Sequence, residues 1–139
     1  MIGFPKVLMY TDGACSFKKG GWANVLIGGG KRKEFFGSEK STTSNRMELM
    51  AVISGLESIK VSCDVLIYSD SKYVVNGINK WVFNWRRSNW RHGKIKNIDL
   101  WEKVLAQLER HNVIAKWVAR NSVKEQARCD ELAKEMTKI

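Results

Sequence analysis

Apolar and polar residues follow two different periods along this chain of 139 residues, and the change of period separates strands from helices. Short apolar runs predict strands over residues 7–11, 22–27 and 65–68, a third strand starting at 33–36, and a last strand over 113–118. The first run is expected to end in a turn at Asp12-Gly13, and three glycines at 28–30 to join the next two strands. The run at 65–68 is almost entirely apolar, which is typical of a central strand covered on both faces.

Apolar residues spaced three and four apart predict the helices. One helix is expected over residues 45–59, a short one from 71 to about 78, and two more beginning near residues 99 and 122. The expected N-terminal capping pairs are Asn45 with Glu48, Asp99 with Glu102, and Ser122 with Glu125. His111 follows the third of these helices and is expected to act as a cation at its C-terminus.

The order of these elements is three strands, a helix, a strand, helices, a strand and a helix. This order implies an α/β layer fold in which crossover connections follow the first group of strands. A chain of this length is expected to form one domain with a substantial core.

The composition narrows the class of protein. Apolar residues make up 44% of the chain, but no run approaches the length of a membrane span, and the N-terminus has no signal-sequence pattern. Cys15, Cys63 and Cys129 are odd in number and widely spaced, so they favour free thiols over disulfides or a zinc site. A cytoplasmic protein without a membrane partner is therefore expected.

Positive charge is the first indication of a partner. Lys and Arg number 24 against 14 Asp and Glu, which gives a net charge of +10 and favours a polyanion such as a nucleic acid. No acid lies between Asp70 and Asp99, where basic residues alternate with tryptophans. A generally cationic soluble protein is the simpler alternative at this point.

The acidic residues at the ends of elements suggest chemistry. Asp12 and Asp70 follow apolar strands, Glu48 lies in the first turn of a helix, and Asp130 lies within the last helix. Each alone has a structural explanation: a turn, a cap, a helix N-terminal acid or a surface acid. If all four meet, their mutual repulsion would favour a hard divalent cation with oxygen ligands.

Four segments containing these acids resemble bacterial type 1 ribonuclease H. They are YTDGAC at 10–15, TTSNRMELMA at 42–51, YSDSKYV at 68–74 and CDELA at 129–133, and together they extend over nearly the whole chain. The resemblance implies the ribonuclease H-like α/β fold, a five-stranded mixed sheet with helices on both faces. It implies a single domain over residues 1–139 with a basic protrusion at about 80–96.

The resemblance also implies an endonuclease that hydrolyses the RNA strand of RNA–DNA hybrids and leaves 5′-phosphate and 3′-hydroxyl ends. Asp12, Glu48, Asp70 and Asp130 would then be the catalytic residues and the ligands of two Mg²⁺ ions, with Mn²⁺ as a possible substitute. We expect a monomer, since the predicted core leaves no apolar face unexplained.

Substrate contacts are implied for a further set of residues. Cys15, Ser44 and Asn45 match positions along the minor groove of the hybrid, where 2′-hydroxyls distinguish RNA from DNA, and Thr43 matches a DNA-phosphate contact. The basic segment is expected to grip the DNA strand. Its expected contacts are Lys72, Trp81, Trp85, Arg86, Arg87 and Trp90, with packing favoured for Trp81 and Trp90 and substrate contact for Trp85.

Two departures from the family pattern keep other functions open. The loop before the last helix lacks the family's histidine, and Arg120, Asn121 and Lys124 are the candidates to replace it. The first turn, at residues 16–21, is shorter than in the family. A catalytically weakened module that binds RNA–DNA hybrids is therefore the main alternative, and a DNA nuclease of the same superfold is a third.

Overall fold

The computed structural model describes residues 4–139 and contains a five-stranded mixed sheet in the order β3-β2-β1-β4-β5. The strands are β1 Lys6–Ser16, β2 Lys19–Gly28, β3 Lys31–Glu39, β4 Asp64–Ser69 and β5 Asn112–Trp117. Neighbouring strands among β1, β2 and β3 run antiparallel, whereas β4 runs parallel to both β1 and β5. The strands and the fold class predicted from the sequence are confirmed.

Helices cover both faces of the sheet. They are α1 Ser44–Ser58, α2 Lys72–Asn76, α3 Val82–Arg87, α4 Asn89–Gly93, α5 Ile98–Arg110 and α6 Lys124–Met136, and a π-helical turn at Gly77–Trp81 joins α2 to α3. α1 and α5 pack together on one face of the sheet with the larger core. α6 alone packs on the other face, against β1, β2 and β3. No helix within residues 4–139 is long and apolar enough to cross a membrane.

The predicted turn at Asp12-Gly13 is wrong, because β1 continues through both residues to Ser16. The chain turns instead at Phe17 and Lys18, which both have positive φ. The other predicted turn is confirmed at Gly29 and Gly30, where positive φ values close the hairpin between β2 and β3.

All three predicted capping residues are wrong. Thr43, not Asn45, caps α1, because its hydroxyl accepts a hydrogen bond from the Arg46 N–H. The α5 cap is Asn97, since Asp99 lies inside the first turn, where it binds the guanidinium of Arg46. α6 has no side-chain cap, because the Ser122 hydroxyl donates to the Ala119 carbonyl instead.

The expected burial of β4 on both faces is only half correct. Val65, Ile67 and Ser69 are buried, but Leu66 and Tyr68 are half-exposed. α6 lies over β1, β2 and β3 and leaves β4 uncovered on that face.

His111 is not the exposed cation expected at the end of α5. It is 4% exposed, and its Nδ1 accepts a hydrogen bond from the Cys63 N–H. Burial lowers the pKa of His111, and the nearby charge of Arg110 lowers it further. The side chain therefore joins α5 to the start of β4 as a neutral acceptor.

Candidate active site

Parallel pairing of β1 with β4 brings two aspartates to one end of the sheet. Tyr10 lies opposite Tyr68 in the register, and their rings stack with centroids 4.9 Å apart. Asp12 and Asp70 each follow two residues later along the chain. The carboxyl ends of adjacent parallel strands are where ligand sites of α/β sheets form.

Glu48 reaches these aspartates because α1 crosses directly over Gly13. A Cβ atom at position 13 would lie 2.4 Å from the backbone nitrogen of Glu48 and 2.5 Å from the carbonyl carbon of Met47. Only glycine allows this approach, so the Asp-Gly dipeptide serves helix packing and not a turn. α1 consequently presents Glu48 to Asp12, although Glu48 lies just after the first turn of the helix and not within it as expected.

The three side chains form a compact carboxylate cluster. Asp12, Glu48 and Asp70 each offer an oxygen, and these oxygens lie within 4.8 Å of one another. All three line a groove of about 800 Å³ at this end of the sheet. The Asp12 Oδ1 atom accepts a hydrogen bond from the Gly13 N–H at 2.9 Å.

Asp130 lines the same groove from α6 but lies outside this three-residue cluster. α6 approaches β2 closely, since a Cβ at Gly21 would overlap the carbonyl oxygen of Ala133. The Asp130 carboxylate is paired with Lys134, one helical turn further on, at 3.0 Å.

Burial and like charge raise the pKa of the two inner carboxyl groups. Burial raises the pKa of Asp12 to about 7, opposed by a hydrogen bond shared with Glu48 and assisted by the charge of Asp70. Burial raises the pKa of Glu48 well above its usual range, and the charge of Asp12 adds to this effect. Without a compensating cation, these two carboxyl groups therefore hold their protons to a higher pH than free carboxyl groups do.

The donor set fits a divalent metal ion. Asp12 Oδ2 and Glu48 Oε1 are buried and have no hydrogen-bond partner within residues 4–139. Clustered carboxylate oxygens are the ligands that Mg²⁺ and Mn²⁺ prefer. Asp12, Glu48 and Asp70 are thus suited to hold a metal ion, with Asp130 beside them in the groove.

Comparison with known proteins identifies the family. The RNase H family model matches residues 5–138. This chain belongs to the ribonuclease H family of endoribonucleases. Among curated relatives, "Ribonuclease H" of Francisella tularensis subsp. novicida (strain U112) is 47% identical over 122 residues, which are 84% of this chain and 80% of the relative. "Ribonuclease H" of Alcanivorax borkumensis is 45% identical over 121 residues, with the same shares of the two chains.

Solved structures of ribonucleases H share the fold. LC9-RNase H1, a type 1 RNase H with the type 2 active-site motif, has a TM-score of 0.88 at 27% identity, covering 99% of this chain and 74% of that one. LC11-RNase H1 in complex with an RNA/DNA hybrid has a TM-score of 0.72 at 23% identity, covering 95% of this chain and 96% of that one. The two family-based expectations, a bacterial ribonuclease H sequence and its fold, are confirmed.

The residues that the ribonuclease H resemblance places along the hybrid's minor groove lie near the carboxylates. Cys15, Ser44 and Asn45 all line the carboxylate groove. Thr43 is exposed just before α1, where its hydroxyl is engaged in capping. Ser44 and Asn45 begin the helix that also carries Glu48, so they line the groove beside the carboxylate cluster.

Two of the three tryptophans of the basic segment differ in burial from what their expected roles require. Trp85, expected to contact substrate, is only 9% exposed and packs edge-on against Trp101 with ring centroids 5.4 Å apart. Trp81, expected to pack, is 40% exposed, whereas Trp90 does pack against the core as predicted. Trp81 ends the π-helical turn and Trp85 lies in α3, and their ring centroids are 5.8 Å apart. The four-residue spacing could not decide which of the two rings is buried.

The two adjacent arginines of this segment differ in their contacts. Arg86 pairs with Glu109 on α5 at 2.9 Å and lies over the ring of Phe83. Arg87 is exposed and has no ion pair within residues 4–139. Asn89, Trp90, Arg91 and His92 follow with positive φ, so the chain makes a left-handed turn at the end of the segment.

Trp117 and Lys134 are among the groove residues that were not singled out from the sequence. Trp117 lies at the end of β5, where its indole N–H donates to the Asp70 carbonyl and the Lys72 ammonium lies 5.2 Å from its ring centroid. Lys134 lies on α6 beside Asp130. The four-residue spacing of Asp130 and Lys134 was visible in the sequence, but the orientation of that helix face was not.

The loop that lacks the family histidine brings one of its three candidate replacements to the groove. Arg120 lines the groove, with its Nε 3.6 Å from Asp70 Oδ2. Asn121 adopts a positive φ in the turn, and Lys124 begins α6. Neither Asn121 nor Lys124 lines the groove.

Proposed function

We propose that this chain is an endonuclease that hydrolyses the RNA strand of RNA–DNA hybrids with two divalent metal ions, leaving 5′-phosphate and 3′-hydroxyl ends. The observation that carries the proposal is the convergence of Asp12, Glu48 and Asp70 at one end of the sheet. Membership of the ribonuclease H family supports the activity, and the fold shared with LC11-RNase H1, solved with an RNA/DNA hybrid, supports the substrate.

The carboxylates are proposed to hold the ions, with Asp12, Glu48, Asp70 and Asp130 as the ligands. When bound, two Mg²⁺ ions supply charge neutralisation and activation of water for an in-line displacement at phosphorus. The hydrolysis joins a water oxygen to phosphorus and breaks the bond to the 3′-oxygen. Mg²⁺ is proposed as the physiological ion and Mn²⁺ as a substitute, since both prefer oxygen ligands.

Polar residues beside the cluster are proposed to recognise the RNA strand. Cys15, Ser44 and Asn45 line the groove that contains the carboxylates. Hydrogen bonds to 2′-hydroxyl groups at these positions would distinguish RNA from DNA. This arrangement favours hybrid cleavage over the alternative of a DNA nuclease with the same fold.

The basic segment at about 80–96 is proposed to hold the DNA strand. Arg87 is exposed and has no ion pair within residues 4–139, whereas Arg86 is engaged by Glu109. Arg87 is therefore the arginine proposed to contact phosphate. Trp81 offers an exposed ring for a sugar or base edge. Lys72 lies over the ring of Trp117, whose indole N–H donates to the Asp70 carbonyl, so this pair adds a cation and a ring beside the carboxylates. The enzyme is proposed to act as a monomer in the cytoplasm.

The decisive experiment is cleavage of an end-labelled RNA–DNA hybrid with Mg²⁺ and, separately, Mn²⁺. Cuts inside the RNA of the hybrid are expected, with none in RNA–RNA or DNA–DNA duplexes. Asp70→Asn is expected to abolish the cuts while leaving hybrid binding measurable. Tight, salt-sensitive binding without cleavage by the wild-type protein would instead favour the catalytically weakened binding module.

Arg120 is proposed to replace the missing loop histidine in part. A guanidinium group does not exchange its protons in proteins, so Arg120 would bind a phosphate oxygen and not transfer a proton. Because acid–base assistance by a histidine is worth about 10²–10⁴-fold, a partial replacement predicts that Arg120→Ala lowers kcat by about 10- to 100-fold. Lys124→Ala is the matched control, because Lys124 belongs to the same loop region but lies outside the groove. An unchanged kcat in Arg120→Ala would exclude this role for Arg120.

A further inference from the structure

The two outer carboxylates of the groove are already paired with cations of the chain. Lys134 Nζ lies 3.0 Å from Asp130 Oδ2, and Arg120 Nε lies 3.6 Å from Asp70 Oδ2. The side chains of both aspartates are 11% exposed, whereas those of Lys134 and Arg120 are 57% and 66% exposed. Each pair therefore joins an enclosed anion to a long cationic side chain that extends into solvent.

The inner carboxylates have no such partner. Asp12 Oδ2 and Glu48 Oε1 have no hydrogen-bond partner in the described part of the chain, and no ion pair there involves either residue. The groove thus contains two inner carboxylates without a cationic partner, and two outer carboxylates whose negative charge is balanced by side chains of the protein.

The closer outer pair also has the geometry to exchange partners. Lys134 and Asp130 lie four residues apart on α6, and both line the groove. The ammonium group has three donors on a flexible stem, so it can leave Asp130 without movement of the helix. A phosphate oxygen in the same groove would be an equivalent anionic partner for it.

We propose that Lys134 is an exchangeable counter-ion: it pairs with Asp130 before a divalent ion binds, and transfers to a phosphate oxygen of the hybrid when the ion takes Asp130. The inference rests on the proposed function. Lys134 is a positioning residue in this scheme, because it controls when Asp130 is available as a ligand. Binding of a divalent ion at Asp130 is thereby linked to the presence of substrate, because a substrate phosphate then holds the Lys134 ammonium group.

The first test measures Mn²⁺ binding to the full chain by calorimetry, without nucleic acid. Lys134→Met removes the competing cation and keeps a residue of high helix propensity, so Mn²⁺ affinity is expected to rise about 2- to 5-fold, the factor that a partly exposed ion pair is worth. Lys138→Met is the matched control, since Lys138 lines the same groove but has no carboxylate partner among residues 4–139. The control variant is expected to retain the wild-type Mn²⁺ affinity.

The second test measures binding of a short RNA–DNA hybrid in Ca²⁺ at several salt concentrations. Lys134→Met is expected to weaken hybrid binding and to lower the slope of log affinity against log salt by about one unit, as expected for one lost phosphate contact. Lys134→Arg keeps the charge and is expected to restore both the slope and the wild-type Mn²⁺ affinity. Far-ultraviolet circular dichroism of each variant checks that α6 is intact.

Two results would overturn the exchange. One is unchanged or weaker Mn²⁺ binding in Lys134→Met, and the other is an equal gain in Lys138→Met, which would reflect only the general potential of the groove. A different result would contradict the proposed function itself: the wild-type protein would neither bind Mn²⁺ nor cleave the hybrid.

Discussion

At the scale of single residues, the buried carboxylates are placed for function at a cost to stability. Asp12 is 2% exposed, and burial raises its pKa to about 7. The unfolded chain releases this proton near pH 4, whereas the folded chain retains it to about pH 7. Without divalent metal, the contribution of Asp12 to stability is therefore complete below about pH 4 and is lost as the pH rises through about 7.

Replacing Asp12 with asparagine should therefore stabilise the protein while abolishing cleavage. The amide oxygen of the new side chain can still accept the hydrogen bond from the Gly13 N–H, but the side chain carries no charge. Urea denaturation of Asp12→Asn at pH 8 with a chelator is expected to show a free energy of unfolding higher by about 1–4 kcal/mol, with the gain disappearing near pH 4. Glu57→Gln, at an exposed position on α1, is the control and is expected to change stability by less than about 0.5 kcal/mol. A loss of stability in Asp12→Asn at pH 8 would contradict this explanation.

The sequence predicted which four acids belong to the site, but it did not predict which of the other expected site residues are buried in the core. Asp12, Glu48, Asp70 and Asp130 lie in segments specific enough to indicate a family. Trp85 was expected at the substrate surface and is in the core, because the side on which a tryptophan lies depends on which helix face packs. The roles of all these residues in catalysis and binding remain predictions.

At the scale of elements, the contact between β1 and α1 positions the site. Gly13→Ala would place a Cβ 2.4 Å from the Glu48 backbone nitrogen, so either the strand or the helix must move. We expect a loss of about 2–3 kcal/mol in urea denaturation, together with weaker Mn²⁺ binding because Glu48 is displaced.

The control for this substitution is Gly29→Asn. A Cβ at Gly29 has no neighbour within 4 Å, and its φ of +58° is one that Asn tolerates. Nearly unchanged stability and metal binding are expected for this variant. If Gly13→Ala changed stability and metal binding as little as Gly29→Asn does, close packing of α1 would not explain why position 13 is glycine.

Periodicity predicted the elements well but not which residues cap the helices. The helix predicted over 45–59 is present as Ser44–Ser58, and the strand predicted over 113–118 is present as Asn112–Trp117. The caps were wrong because Thr43, Asn45 and Ser122 are all residue types that can cap, and the path of the preceding loop decides which one does.

At the scale of the whole molecule, the net charge of +10 is expected to act mainly through the basic segment. Arg87→Ala is expected to raise KM for the hybrid by about 3- to 10-fold at unchanged kcat, and to lower the salt slope of binding by about one unit. Activity assays and binding titrations at several salt concentrations measure both quantities.

Arg86→Ala is the matched control, because the neighbouring arginine is held by Glu109 and by the ring of Phe83. Its loss is expected to lower stability by about 0.2–1 kcal/mol, with a smaller change in salt slope than in Arg87→Ala. Equal salt slopes in the two variants would show that the local ion pair does not decide which arginine contacts phosphate.

The sequence by itself determined the fold class, the family and the identity of the acids, because periodicity and local motifs are properties of consecutive residues. Only the tertiary structure decided that β1 runs through Asp12-Gly13, that Trp85 is buried, and that Lys134 compensates Asp130. These features depend on the distance between elements and on the helix face that packs, and both follow from how α1 and α6 dock on the sheet.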